Sequence, residues 1–229
     1  MADDGADMDD QALGGTTYDR VHAAILRDII AGVFPPGARL RTADLCERYG
    51  LSQMPIREAL QRLQGEGVVT VIPNRGARVR SITAKFIEDV YELRGVLSIV
   101  IYRDLFAHPD PKLVPRLIEA QERYDAALAA GDEKACDDEN KNFHGYIRAQ
   151  CRNEEVAKVM DRGNQLVAGF RSAVGYGPKR RKEQSEEHWA IIRAIETGNL
   201  QLSIEADERH RNNGVRDVIA MFRKKFENA

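Results

Sequence analysis

The stretch that decides the fold is Gly50-Leu51-Ser52-Gln53-Met54-Pro55-Ile56-Arg57-Glu58-Ala59-Leu60-Gln61-Arg62-Leu63. It predicts a turn and then a helix, because Ser52 is suited to capping a first turn in which Pro55 is tolerated. The apolar residues recur at helical spacing and predict a buried stripe, formed by Ile56, Ala59, Leu60 and Leu63. A polar stripe is formed by Gln53, Arg57 and Gln61. A short helix with Gln and Arg on one side suits readout of the DNA major groove, and an ordinary surface helix is the alternative.

The residues before this stretch predict two further helices. Apolar spacing predicts one over Tyr18–Ala31, which Gly32 ends, and another over Ala43–Tyr49, which Gly50 ends. Thr42 is the expected N-cap of the second. A short turn that contains glycine, between two short helices, is typical of a helix-turn-helix.

Two β-rich runs follow the stretch. Val68–Ile72 and Ala77–Arg80 are joined by Pro73-Asn74-Arg75-Gly76, and this pattern predicts a hairpin. Three helices followed by a hairpin with a basic tip predict a winged helix-turn-helix, which is a DNA-binding fold.

Several separate motifs of this region occur together in one known family. They are Phe34-Pro35-Pro36-Gly37-Ala38-Arg39-Leu40, Gly50-Leu51-Ser52, Pro55-Ile56-Arg57-Glu58-Ala59-Leu60, Leu63, Gly67 and Asn74-Arg75-Gly76. In order, spacing and residue type they resemble the N-terminal domain of GntR-family transcriptional regulators, over roughly residues 16–80. The remainder resembles the all-helical effector domain of the FadR branch, the FCD type. The resemblance implies a mainly α protein, with an N-terminal winged helix-turn-helix domain and a C-terminal all-α helical bundle. It also implies a ligand-responsive, DNA-binding transcriptional regulator.

Charge is distributed unevenly along the 229 residues, although the formal net charge is only −2. Residues 1–14 contain five Asp and no cation, so we expect a disordered acidic tail. Residues 15–80 contain ten Arg, no Lys and six acidic residues, a net charge of +4 that suits a DNA-binding domain. Residues 81–229 contain 24 cations and 25 anions, and we expect them to form the effector-binding and dimerisation domain.

The composition argues against several other classes of protein. The start of the chain has neither the basic nor the apolar region of a signal peptide. No apolar run approaches the roughly 18 residues of a membrane span, so we expect a cytoplasmic protein with no membrane partner. The three cysteines lack the spacing of a zinc site or a disulfide framework.

The expected DNA contacts are Arg41, Thr42, Ser52, Gln53, Met54, Arg57, Arg75 and Gly76. For Met54, packing within the domain is the alternative to contact with a thymine methyl. Arg57 is placed for a base contact, and Arg75 in the wing is expected in or beside the minor groove. Arg41 is expected to contact phosphate. Gln53 stands where the resemblance leads us to expect Arg. Because Gln prefers adenine and Arg prefers guanine, the operator is expected to differ at that base pair.

The remainder of the chain reads as a succession of amphipathic helices. They are predicted over Thr83–Phe106, Pro111–Ala130, Glu133–Gln150, Glu154–Val174, Arg180–Thr197 and Leu200–Phe226. Short breaks rich in Gly, Pro, Asn and Asp separate them, which predicts a helical bundle.

Three of the five histidines fall in different predicted helices: His144, His188 and His210. Ligands on separate helices of a bundle are a common way to hold a metal, but three histidines that line a polar pocket would show the same spacing. The resemblance implies a site of Asn140, His144, His188 and His210 for a divalent transition metal, zinc or nickel. Asn140 replaces the Asp that is usual in the family. Its neutral amide oxygen is expected to weaken metal binding.

Arg94 matches an arginine that often lines the same pocket in this branch. Neutral ligands leave the metal with its full positive charge, which favours an anionic ligand. We therefore expect a small carboxylate effector held by Arg94 and the metal, with Asn164 and Arg171 beside it. The alternative for Arg94 is a surface ion pair with Asp89 or Glu92.

The resemblance also implies a homodimer on double-stranded operator DNA, because one short helix reads too few base pairs. Repression relieved by the effector is the expected sign of regulation. Two alternatives stay open: a regulator whose pocket binds effector without metal, and a helical metallohydrolase. An enzyme would need carboxylate ligands and a general base, which the run Asp137-Asp138-Glu139 would have to supply.

Overall fold

The computed structural model describes residues 17–73, 75–176 and 178–227. These residues form two compact units, divided between Ile82 and Thr83. Three predicted features lie outside the described residues: the acidic tail over residues 1–14, Asn74 of the hairpin turn, and Gly177 in the break before the fifth helix of the bundle.

The first unit is a winged helix-turn-helix. Its elements are α1 (Thr17–Ile30), β1 (Arg39–Leu40), α2 (Thr42–Tyr49), α3 (Gln53–Gly65), β2 (Val69–Ile72) and β3 (Gly76–Val79). The strands form an antiparallel sheet in the order β1-β3-β2. The predicted hairpin is β2 and β3. The sequence does not predict β1, because two residues are too few to show an alternating pattern.

Helix α3 buries the apolar stripe that the sequence predicts. Each member of the stripe is at most 3% exposed: Ile56, Ala59, Leu60 and Leu63. Gln53 and Arg57 are exposed, and Arg57 donates a hydrogen bond to Gln53 Oε1 at 3.1 Å. Met54 is 70% exposed. The polar face of α3 is therefore available to a partner of this unit.

The starts of two helices differ from the sequence prediction. Arg41, and not Thr42, is the N-cap of α2, because the Leu45 N–H donates to the Arg41 carbonyl and so draws Thr42 into the first turn. Ser52 is the N-cap of α3 as predicted, but its side chain makes no cap hydrogen bond.

A buried polar pair joins α1 to the residue that follows α3. His22 Nε2 lies 2.8 Å from Glu66 Oε2, and both side chains are almost fully buried. Arg62 of α3 forms ion pairs with Glu66 at 3.4 Å and with Asp19 of α1 at 3.0 Å. These contacts fix the end of α3 to the first helix.

Every regular element in the described residues of the second unit is a helix. Its helices are α4 (Ala84–Ala107), α5 (Leu113–Ala130), α6 (Glu133–Arg148), α7 (Glu154–Val174), α8 (Pro178–Glu196) and α9 (Leu200–Phe222), followed by a π-helical turn, Arg223–Glu227. Four of them start at residues whose side chains accept a backbone N–H: Thr83, Asp132, Asn153 and Asn199. These caps explain why the breaks fall close to their predicted positions. The expected fold class is confirmed.

The core of this unit is made by aliphatic and aromatic side chains from all parts of the helical bundle. Tyr102, Leu117, Phe143 and Ile191 are each at most 1% exposed and belong to one cluster. None of the helices in the described ranges combines the length and the apolarity needed to cross a bilayer.

Gly76 occupies a position that is closed to a side chain. Its φ is +88°, and a Cβ atom there would lie 2.1 Å from the carbonyl oxygen of Leu40. We expect Gly76→Ala to lower the free energy of unfolding by about 1–3 kcal/mol or more. Gly65→Ala is the control, since no heavy atom lies within 4 Å of that site and alanine favours the helix by up to about 1 kcal/mol. Urea unfolding of the full chain measures both, and equal stability of the two variants would contradict the close approach.

Candidate functional site

Three histidines from different helices meet inside the helical unit. His144 of α6, His188 of α8 and His210 of α9 each place a ring nitrogen within 4.8 Å of the others. His144 Nε2 lies 3.2 Å from His210 Nε2. Phe143 stacks on His188 with ring centroids 4.2 Å apart, and His188 has no exposed surface. The structure therefore brings together the three histidines that the sequence singles out.

In two of these rings, the Nδ1 atom forms a hydrogen bond that orients the ring. His210 Nδ1 lies 2.7 Å from Glu187 Oε2, and His188 Nδ1 lies 2.8 Å from Gln121 Oε1. Both partner atoms are acceptors, so each Nδ1 carries the hydrogen and each Nε2 keeps a lone pair. His188 Nε2 is buried and has no hydrogen-bond partner among the described residues.

Burial keeps the three imidazoles neutral. It lowers the pKa of His144 and of His188 well below the ordinary value, and the neighbouring His210 lowers both further. Burial also lowers the pKa of His210, although Glu187 opposes that shift. Neutral imidazole is the form that binds a metal ion.

Glu187 belongs to the candidate site and is not among the residues that the sequence predicts for it. Burial alone would raise its pKa, but hydrogen bonds from His210 and Arg180 outweigh burial and lower the pKa to about 2. Arg180 donates to both carboxylate oxygens, at 2.8 and 2.7 Å, and Asn213 donates to Oε1 at 2.7 Å. A carboxylate with this many donors is suited to orienting His210. The position of Glu187 in the sequence, next to His188, does not indicate this role, because Glu187 contacts His210 of the next helix.

One pair of nitrogens in the cluster has the spacing of two ligands on a divalent first-row metal. Zinc–nitrogen bonds are about 2.0–2.1 Å long, so two nitrogens on one ion lie about 3.0–3.4 Å apart. The separation of 3.2 Å between His144 Nε2 and His210 Nε2 falls in this range. His188 Nε2, which has no hydrogen-bond partner among the described residues, would supply a third ligand atom.

The predicted fourth ligand has a hydrogen-bond partner outside the cluster. Asn140 Oδ1 accepts a hydrogen bond from Gln184 Nε2 of α8. An amide oxygen has a second lone pair, so this contact leaves one site for another partner. Coordination of a metal by Asn140 stays a prediction.

A cavity of about 60 Å³ adjoins the cluster. His144 and His210 line it together with the three residues predicted to contact an effector, Arg94, Asn164 and Arg171. Because one buried water needs about 10–15 Å³ of such space, the cavity has room for a molecule of only a few heavy atoms.

Arg94 is a half-buried cation of this cavity. Its Nε donates to Asn164 Oδ1 at 3.0 Å, and it forms no ion pair with Asp89 or Glu92 as the alternative requires. Burial lowers the pKa of Arg94 to about 10, which leaves it charged at neutral pH. A Cβ atom at Gly163 would lie 3.0 Å from Arg94 Cγ, so this glycine lets the side chain lie against α7.

The other charged groups of the cavity are mostly paired. Asp207 accepts hydrogen bonds from Ser98 at 2.5 Å and from Arg211 at 2.8 Å. Arg148 pairs with Asp161 at 3.1 Å. Among the described residues, neither Arg94 nor Arg171 forms an ion pair with a carboxylate. The cavity thus has an excess of positive charge.

The residues predicted to contact DNA lie on the surface of the first unit. Those with exposed side chains are Arg41, Ser52, Gln53, Met54, Arg57 and Arg75, whereas Thr42 and Gly76 are partly buried. The Arg39 side chain donates to the Arg75 carbonyl at 3.4 Å and so joins β1 to the wing turn.

Comparison with known proteins places both units in described families. Residues 17–79 match the gntR family of bacterial regulatory proteins, and residues 89–213 match the FCD domain. The HTH-type regulator YdhC of Bacillus subtilis (strain 168) is 26% identical over 200 residues, which cover 85% of this chain and 88% of YdhC. The HTH-type repressor GlaR of Escherichia coli (strain K12) is 31% identical over 150 residues, which cover 63% of this chain and 67% of GlaR.

Solved structures show the same fold. E. coli McbR/YncC superposes with a TM-score of 0.68 at 18% identity, over 90% of this chain and 99% of its own. The metal-free FCD domain of TM0439 superposes with a TM-score of 0.53 at 18% identity, over 65% of this chain and 99% of its own.

The family and these relatives consist of transcriptional regulators and not of enzymes, so the metallohydrolase alternative is wrong. The first unit is a DNA-binding domain and the second is an effector domain. The chain belongs to the GntR family of bacterial transcriptional regulators and carries an FCD domain.

Proposed function

We propose that this protein is a repressor that leaves its operator when a small organic acid binds in a metal-containing pocket of the helical unit. One observation carries the proposal. Two of the histidines and two arginines line one cavity: His144, His210, Arg94 and Arg171. A carboxylate placed there meets a metal ion and a guanidinium group at the same time.

The residues that would hold the metal are His144, His188 and His210 through Nε2, with Asn140 as the fourth candidate. Zinc and nickel are the ions that we propose, because sites rich in imidazole suit them. A bound ion supplies a positive charge and open coordination positions to the cavity. Three neutral imidazoles and an amide do not cancel that charge.

The charges of the cavity also support an organic acid as the class of effector. Arg94 and Arg171 have no acidic partner among the described residues, and the carboxylate of Asp207 is already bonded to Arg211. An anionic ligand would offset these cations and the metal together. The small volume of the cavity favours a compact carboxylate.

A pocket that binds effector without metal is the second candidate. It is supported by the contact between His144 and His210, since a hydrogen bond at 3.2 Å is also possible between two rings in suitable tautomers. In that case the histidines would bond to water or to the effector itself.

On the DNA side we propose that α3 enters the major groove and the wing reaches the minor groove. Arg57 and Gln53 would read base edges, Met54 would contact a thymine methyl, and Arg75 would enter or flank the minor groove. Backbone contacts are assigned to Arg41, Thr42, Ser52 and Gly76.

We further propose that the protein acts as a cytoplasmic homodimer, because two copies of α3 read a two-fold site. Leu93 and Val96 of α4 are 52% and 59% exposed, which suits an apolar surface between two copies. The effector would then favour one arrangement of the two reading helices over another.

The DNA-binding face is tested by selecting preferred duplexes from a random pool and measuring affinity by fluorescence anisotropy. We expect Arg57→Ala to weaken binding by about 1–3 kcal/mol, or roughly 5- to 150-fold, because it removes a base contact. Arg123→Ala is the control, since that arginine is paired with Glu119 and Glu139 of the helical unit.

In the selected duplexes we expect adenine at the base that Gln53 contacts. Guanine that persists in Gln53→Ala would contradict that assignment.

The metal site is tested by zinc and nickel titration of the metal-free protein with a competing chelator. We expect one ion per chain, and we expect His188→Ala to lower the affinity by more than the roughly 10–100-fold that is typical of losing an outer partner. His108→Ala is the control, because that histidine is exposed and contacts Arg152. Failure of the unsubstituted protein to bind either ion would leave the metal-free candidate.

The effector pocket is tested by calorimetry with a panel of small carboxylates. We expect Arg94→Ala to weaken the binding of the preferred acid by at least about 10-fold, since it removes a charge-assisted hydrogen bond of about 1.5–3 kcal/mol. Arg103→Ala is the matched control, because Arg103 lies exposed on the same helix. Equal binding by the two variants would remove Arg94 from this role.

A further inference from the structure

A chain of hydrogen bonds leads from His188 outward to Asp125 of α5. Gln121 accepts from His188 Nδ1 through Oε1 at 2.8 Å, and its Nε2 donates to Asp125 Oδ1 at 2.8 Å. The same carboxylate accepts from Ser185 Oγ at 2.5 Å and from Trp189 Nε1 at 2.9 Å. Asp125 is therefore two hydrogen bonds away from the imidazole of His188.

The donor and acceptor groups fix which atom donates in each hydrogen bond between Asp125 and His188. A carboxylate can only accept, so Asp125 draws the NH₂ group of Gln121 towards itself. The Oε1 atom of Gln121 must then face His188, and only a protonated Nδ1 can donate to it. The lone pair of His188 is left on Nε2, the atom that lies in the histidine cluster without a hydrogen-bond partner among the described residues.

We propose that Asp125 is a positioning residue of the metal site, which acts through Gln121 to hold His188 in the tautomer whose Nε2 binds metal. This proposal rests on the metal site of the proposed function. It adds a residue whose hydrogen bonds are to Gln121, Ser185 and Trp189 and not to a proposed metal ligand.

The hydrogen-bond chain from Asp125 through Gln121 to His188, which we call the relay, also explains why the Nδ1 atoms of His188 and His210 have different kinds of partner. Glu187 contacts His210 directly, and Arg180 and Asn213 satisfy its charge. His188 is fully buried, and a carboxylate against it would have to lose its water without such partners. A neutral amide transmits the orientation, while the charge of Asp125 stays at a partly exposed position.

Asp125→Asn reverses the chain at its source. Ser185 and Gln121 both bond to Oδ1 of Asp125, whereas Trp189 bonds to Oδ2. The indole N–H can only donate, so the side-chain oxygen of the asparagine stays next to Trp189 and its NH₂ group takes the place of Oδ1 beside Gln121. Gln121 then turns its Oε1 towards Asn and its NH₂ towards His188, which places the hydrogen on Nε2. We expect zinc affinity to fall about 10–100-fold. Asp110→Asn is the control, because that carboxylate only caps a turn and pairs with Arg116.

A second variant tests the mechanism and not only the position. Gln121→Glu combined with Asp125→Asn moves the carboxylate next to His188, where it accepts from Nδ1 and from the asparagine NH₂ group. We expect this double variant to recover zinc affinity to within a few-fold of the unsubstituted protein. A purely structural role of Asp125 predicts no recovery.

The nitrogen chemical shifts of His188 in the metal-free protein give a readout that does not involve metal. We expect the Nδ1–H tautomer in the unsubstituted protein and in the double variant, and Nε2–H in Asp125→Asn. The expected tautomers in a protein that binds no zinc would support the relay and overturn the metal site. An Nε2–H tautomer in the unsubstituted protein, or unchanged zinc affinity in Asp125→Asn, would overturn the relay. If Asp125→Asn does not fold, the tautomer of the unsubstituted protein and the double variant decide.

Discussion

Three neutral imidazoles held against one another inside the helical unit are the constraint on which that unit depends. A buried polar atom without a partner costs about 1–3 kcal/mol, and His188 Nε2 is such an atom among the described residues. Gln121 of α5 and Glu187 of α8 hold two of the rings by Nδ1. The Nε2 atoms of these two rings then carry lone pairs that face the cluster, where few hydrogen-bond donors are available. A single cation would satisfy several of these lone pairs at once.

The arginines of the cavity follow from the same constraint. A divalent ion with neutral ligands, beside two guanidinium groups without acidic partners, would leave several like charges close together in the cavity. An anion in the cavity would strengthen metal binding, and metal would strengthen binding of the anion, because such coupling is reciprocal. An effector would change DNA affinity only as far as it favours one arrangement of the protein over another.

Most of the fold is predictable from the sequence because periodicity, turns and caps are local. The strand β1 is not, since two residues carry no pattern and acquire their structure from β3. In the site, the three histidines are predictable because each falls inside a separate helix and the family resemblance relates them. Gln121 and Asp125 are not predictable, since their contacts with α8 join residues at least 60 positions apart and depend on the register of two packed helices.

The coordination of the cluster is tested most directly by X-ray absorption at the zinc edge of the reconstituted protein, combined with anomalous diffraction from its crystals. We predict one ion per chain with three nitrogen ligands at about 2.0–2.1 Å, and we expect the electron density to assign them to Nε2 of His144, His188 and His210. An ion bound elsewhere, or one bound through Nδ1 of His188, would contradict it.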